Sequence, residues 1–159
     1  MAGTAFLAAS VVGQFEATIT ELVALAVLMP IVAGMGGNAG TQVLALMVRG
    51  IALGQVGASN IKPLLWKEAR VALLNGIVLG TILALIVLLW FHSIGLSVVI
   101  FVALTCNLVL AAIAGVLVPV ALKRAGYDPA LASGIFLTTV TDVMGFFTFL
   151  GLATLVLLR

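Results

Sequence analysis

Three long apolar runs constrain this chain more than any other feature. They cover residues 64–91, 94–122 and 129–158, and each exceeds the roughly 20 residues that carry a helix across a bilayer. A fourth run, 21–48, is as long but contains Pro30 and several glycines, and a fifth, 2–15, is apolar and short. Barrel strands would show alternating polarity in pieces of about ten residues. These runs are continuous, so the spacing predicts an all-α integral membrane protein with five transmembrane helices, at about 2–15, 21–48, 64–91, 94–122 and 129–158. Composition agrees: 64% of the residues are hydrophobic and 8% charged, against about 45–50% and about 25% in soluble domains. A soluble domain, a disordered chain and a coiled coil are thereby excluded. The single cysteine and single histidine exclude an internal disulfide and a His/Cys metal cluster. Seven Lys and Arg are too few for a broad phosphate-binding face, so no nucleic-acid partner is expected.

The charges orient the chain. Five spans put Arg49, Lys62, Lys67, Arg70, Lys123 and Arg124 at one pair of loops, and Glu16, Glu21 and His92 at the other. The positive-inside rule then places the N-terminus and the basic loops in the cytoplasm and the C-terminus outside, in a multi-pass protein of the cell membrane. Four spans, without the first segment, give the same sides for the loops. The first segment lacks the basic flank of a signal peptide and the chain stays apolar after it, so it reads as the remainder of a helix that begins upstream. The 50–63 stretch is rich in Gly, Ser and Asn and reads as a flexible connection. Leu64–Arg70 (LLWKEAR) sets Trp66 among charges, as at an interfacial helix start. Asp128 and Pro129 read as N-cap and first residue of the last helix.

Asp142 is the residue that least belongs in lipid. It lies near the middle of the last segment, where a carboxylate costs a few kcal/mol or more. No Lys or Arg lies deep in any span to pair with it. Thr138 and Thr139 precede it by about one helical turn, and Thr141 adjoins it. A protonated acid bonded between helices is one reading; a cation or proton site is the favoured one. In the second segment, Gly34, Gly36, Gly37 and Gly40 weaken the helix and predict irregular backbone with exposed carbonyls, tolerated only where buried in protein or lining water. Close packing through Gly36 and Gly40 accounts for glycines but not for Asn38 and Gln42, which share one face, so a polar lining is favoured here. Asn107, mid-span in the fourth segment, is balanced between packing and lining; Asn75 reads as structural.

Catalysis finds little footing, with no nucleophile–base pair and no second acid beside Asp142, so an enzyme is not expected. One carboxylate, hydroxyls, amides and carbonyls are oxygen donors, which hard cations prefer. Mg²⁺ dehydrates reluctantly, so such a site suits the hydrated ion. Spacing alone does not separate Mg²⁺ from Ca²⁺, Mn²⁺ or H⁺. In a two-fold homodimer Asp142 could meet its mate near the axis.

Two longer motifs carry a resemblance. Pro30-x3-Gly34-x-Gly36-Gly37-Asn38-x-Gly40-x-Gln42 with Val48-Arg49-Gly50, and Thr138-Thr139-Val140-Thr141-Asp142-Val143-Met144-Gly145-Phe146-Phe147, resemble the second- and fifth-helix signatures of the MgtE-type magnesium transporters. Phe15-Glu16 and Asp128-Pro129-Ala130 are also similar to family patterns. The resemblance implies a homodimeric Mg²⁺ channel, five helices per subunit, with the pore at the dimer interface. It implies that Asp142 recognises hydrated Mg²⁺ as transported ion and ligand, with groups of Gly34–Gln42 and Thr138–Thr141 completing the lining. Gly34, Gly37, Asn38, Gln42, Thr138, Thr139, Thr141 and Asn107 are the pore-lining candidates. Typical members carry cytoplasmic regulatory and CBS domains that this chain lacks; it is expected to be either an isolated membrane domain or a naturally short member, with such domains as possible separate partners. An ion-coupled exporter of the same fold and a non-transporting membrane scaffold are the competing functions.

Overall fold

The computed structural model describes residues 2–57 and 60–158. It contains six helices among these residues: α1 (Ala2–Gly13), α2 (Glu16–Glu21), α3 (Val23–Ala52), α4 (Ile61–Phe91), α5 (Ile94–Arg124) and α6 (Pro129–Leu157). Four of them, α3 to α6, are long and apolar enough to cross a membrane. α1, at 12 residues, reaches about 18 Å, short of the roughly 30 Å hydrocarbon core. The all-helical membrane architecture therefore stands.

Several boundaries shift. Residues 16–20, expected as a loop, belong to the short helix α2, which is tied to α6 by a 2.9 Å bond between the Thr18 and Thr154 hydroxyls. The connection expected over 50–63 shrinks from both sides, because α3 runs on to Ala52 and α4 begins at Ile61. What remains is bonded rather than loose: Asn60 donates from Nδ2 to the Gln55 carbonyl (2.7 Å) and accepts from the Gly57 N–H (2.9 Å). Residues 58 and 59 lie outside the described residues.

The turns are built from local chemistry. α5 ends in a double backbone clasp, with Gly126 N–H donating to Lys123 O and Tyr127 N–H to Leu122 O. That clasp requires a left-handed residue, and Gly126 adopts φ 82°. Asp128 then caps α6 by accepting from the Ala130 N–H at 2.9 Å, and Pro129 is the first helical residue, as the sequence predicts. Ser93 caps α5 by accepting from Leu96 N–H at 3.2 Å.

α5 is the central helix, with α3, α4 and α6 packed around it. Its buried face carries Val99, Ile100, Ala103, Leu104, Asn107, Ala111 and Gly115, and the largest apolar cluster joins Ile100 to Leu25, Val32, Val87 and Phe149. α4 sits on the outside and turns Leu74, Ile77, Val78, Ile82, Leu85 and Leu89 outward, as a lipid-facing helix would. It reaches α5 through Gly76 and Gly80: a methyl group at Gly76 would stand 2.9 Å from the Thr105 backbone Cα. Lipid offers no hydrophobic drive between helices, so close backbone approach through small residues takes its place. The basic residues Arg49, Lys62, Lys67, Arg70, Lys123 and Arg124 all collect at the end of the bundle where α3 and α5 finish and α4 begins.

Gly76→Leu should push α4 off α5, because the obstruction is backbone. A melt of the purified protein in detergent should show a fall in Tm, with overpacking costing roughly 1–3 kcal/mol or more. Gly34→Ala, with nothing within 4 Å, should not lower the Tm.

Candidate functional site

α3 and α6 run antiparallel and meet in a tight seam. A methyl group at Gly37 would come within 4.0 Å of Thr141 Oγ1, and one at Gly40 within 3.0 Å of the Leu137 side chain. These pairs fix the register and bring the centres of the two motif-bearing helices to one level. α5 joins them there through Asn107, which is 0% exposed. Its Nδ2 donates to the Val32 carbonyl at 2.9 Å. A methyl group at Gly36 would lie 2.2 Å from that nitrogen, and one at Gly145 would lie 2.8 Å from it. The absent side chains of α3 and α6 are thus the space that Asn107 occupies. Its Oδ1 is buried with no hydrogen-bond partner among the described residues.

Asp142 projects from this level on α6. It is half-buried, 13 residues from the helix start, and no cation pairs with it among the described residues. Thr138, one turn earlier, is exposed, and its hydroxyl donates to Gly134 and Ile135 carbonyls at 3.1 and 3.2 Å. Thr139, half-buried, donates to Ile135 O at 2.7 Å. Both hydroxyls spend their proton on their own helix and keep oxygen lone pairs free. On α3, Gly34, Asn38 and Thr41 are exposed and spaced to form one stripe. Thr41, not among the expected candidates, joins this exposed stripe by its i, i+4, i+7 spacing from Gly34, and its hydroxyl donates to the Gly37 carbonyl at 2.7 Å.

The structure divides the remaining candidates. Thr141 is fully buried in the α3–α6 seam and donates to Thr138 O at 3.1 Å, so it packs where it was expected to line. Asn107 clasps three helices and does not reach the outer face. Gln42, exposed one turn beyond Asn38, also lines a cleft between α3 and α4 with Glu68 and Asn75. Gly37 borders the stripe on the side of α6. The expected irregular backbone at Gly34–Gln42 is corrected: α3 is helical throughout, Pro30 included. The reason is that Gly36 and Gly40 are held against Asn107, Ala111 and Leu137, so packing supplies what the glycines lack in helix propensity.

At this level α6 thus carries a half-buried carboxylate with hydroxyl oxygens, and the adjoining α3 carries an exposed stripe with a hydroxyl and an amide. Among the described residues no group of three His, Cys, Asp or Glu side chains could hold a bare metal ion. These features define a polytopic helical membrane protein with one half-buried acid on a mid-helix polar strip.

Comparison with known proteins takes the assignment further. The divalent cation transporter family MgtE matches residues 29–152, and the chain belongs to that family. It is 35% identical over 147 residues to the magnesium transporter MgtE of Enterococcus faecalis, covering 92% of this chain and 32% of that protein. It is 32% identical over 148 residues to the magnesium transporter MgtE of Bacillus subtilis, covering 93% of this chain and 33% of the relative. The Thermus thermophilus magnesium transporter MgtE is 33% identical over 154 residues, covering 97% and 34%. The chain thus spans about one third of the length of the curated relatives it matches.

Gly36→Ala and Gly145→Ala should each dislodge Asn107, because the amide is hemmed in from both sides. Each should lower the Tm of the detergent-solubilised protein and raise exchange of the Val32–Gly36 amides with deuterated solvent. Gly151→Ala, with nothing within 4 Å, serves as the unaffected control.

Proposed function

We propose that this chain forms a passive pathway for hydrated Mg²⁺, built as a homodimer with the polar faces of α3 and α6 turned to the two-fold axis. The observation that carries this reading is Asp142: a half-buried carboxylate at mid-helix, without a cationic partner among the described residues, one turn from the exposed Thr138 hydroxyl and one residue from the α3–α6 seam. An acid in the membrane requires a compensating charge or a proton, and a transported cation supplies the charge. The relatives named as magnesium transporters support Mg²⁺ as that cation.

The chemistry follows from the ion. Mg²⁺ sheds its water shell reluctantly, so the pathway reads the waters rather than the metal. The Asp142 carboxylate accepts hydrogen bonds from those waters and offsets the charge. Thr138 and Thr41 hydroxyl oxygens and the Asn38 amide oxygen accept further bonds. A two-fold dimer brings a second Asp142 to the same level, so two carboxylates face one divalent ion and charge balances. The basic end of the bundle lies in the cytoplasm and the C-terminal end outside.

Asp142→Asn should reduce Mg²⁺ influx into proteoliposomes by about tenfold or more, a barrier change of about 1.4 kcal/mol or more; flux equal to the parent would overturn the reading. Asp142→Glu should retain part of the flux. Flux driven against the Mg²⁺ gradient by imposed Na⁺ or H⁺ would instead favour a coupled exporter. In a Cys106→Ala background, Thr138→Cys should give a disulfide-linked dimer in membranes; monomer alone would count against the dimeric pore.

A further inference from the structure

The basic end of α4 carries a feature that the ion pathway does not use. Two cavities meet there and share Pro63 and Lys67. One is a groove of about 460 Å³ between α3 and α4, walled by Val43, Leu46, Met47, Val56 and Leu64. The other is an open cleft of about 620 Å³ lined by Trp66, Arg70 and Val71 beside the shared pair. An apolar slot thus continues into a cationic, aromatic recess.

We propose that this pair of cavities binds one anionic phospholipid, with its phosphate between Arg70 and Lys67 and an acyl chain along the α3–α4 groove. Charge complementarity is the first support. Lys62, Trp66 and Arg70 are spaced one helical turn apart on α4 and are all exposed. Lys67 is 71% exposed and lies 3.8 Å from Glu68, which is only 12% exposed and lines the groove side. Glu68 therefore tempers Lys67, while Arg70 has no carboxylate partner among the described residues. Arg70 is the stronger phosphate ligand because its planar guanidinium can hold two phosphate oxygens at once. The second support is continuity. Val71, Leu74, Ile77 and Val78 lead from the recess up the outward face of α4, where lipid tails lie. The third is depth. Trp66 is 67% exposed at the start of a membrane helix, the position of an interfacial aromatic at headgroup level. Basic recesses between transmembrane helices are suited to anionic headgroups, and juxtamembrane cations each strengthen that attraction.

The test uses the whole purified chain, delipidated in a neutral detergent and then mixed with equal amounts of phosphatidylcholine and phosphatidylglycerol. Native mass spectrometry should show phosphatidylglycerol retained in preference to phosphatidylcholine. Lys67→Gln with Arg70→Gln should lower that retention about thirtyfold, the loss expected for two juxtamembrane charges. Both side chains are exposed, so the fold should survive, as an unchanged melt would confirm. Leu46→Trp, which fills the groove and leaves every charge in place, should also lower retention. Inorganic phosphate at millimolar concentration should not displace the lipid. Equal retention of the two lipids, or retention unchanged in the double variant, would overturn the proposal. Displacement by free phosphate would overturn it by showing an anion site without an acyl chain. A disulfide-linked dimer from Lys67→Cys in the Cys106→Ala background would overturn it in favour of a second copy covering the face.

Discussion

The amide of Asn107 is the contact on which the arrangement of this bundle depends. It bonds the Val32 carbonyl of α3 from α5, and it occupies the space left by Gly36 of α3 and Gly145 of α6. Three helices are thereby registered to one another at one depth. In a bilayer this matters more than in water, because apolar surfaces alone discriminate poorly between one helix pairing and another. A buried amide between two glycines accepts few alternatives. Sliding α6 by one turn would bring Thr141 or Phe149 to the place where Gly145 now leaves room for the amide.

That registration positions the acid. Gly145 lies three residues beyond Asp142, and a methyl group at Gly37 would come within 4.0 Å of Thr141, its immediate neighbour. The carboxylate is therefore carried by a well-packed stretch of α6 while itself only half-buried. Rigid packing on one side and an open polar face on the other is what a site for a hydrated ion requires, since the ion's waters must find oxygens at defined places. The threonines contribute in the same way: their protons are engaged within the helix, so their oxygens are presented as acceptors. The α3–α4 groove and its basic recess lie at the end of the bundle, away from this level, which separates the proposed lipid contact from the proposed ion path.

Much of this was legible in the sequence. Four long helices, the cap at Asp128 and the isolation of Asp142 all follow from local pattern, because length, capping chemistry and the cost of a buried charge are properties of short stretches. The glycine-rich stretch of α3 was not legible. Glycines within a helix signal either unwinding or close approach, and the choice depends on what lies opposite. Ala111, Leu137 and Asn107 lie opposite Gly36 and Gly40, so the helix stays intact. Asn107 itself was balanced between packing and lining for the same reason. Thr141 was grouped with Asp142 as its neighbour yet is buried in the seam, and Gln42, grouped with Asn38 by i, i+4 spacing, also borders the α4 cleft.

The sequence by itself determined that the chain is a helical membrane protein, where its basic end lies and which single acid stands in lipid. Those are one-dimensional facts, set by hydropathy over about 20 residues and by the energy of an ion in hydrocarbon. Only the tertiary structure decided which polar groups share a surface with that acid. Each residue's face on a helix is known from its number, but the neighbour it meets is set by the packing of small residues across helices. That packing joins positions as far apart as Val32 and Asn107, a separation that no local pattern encodes.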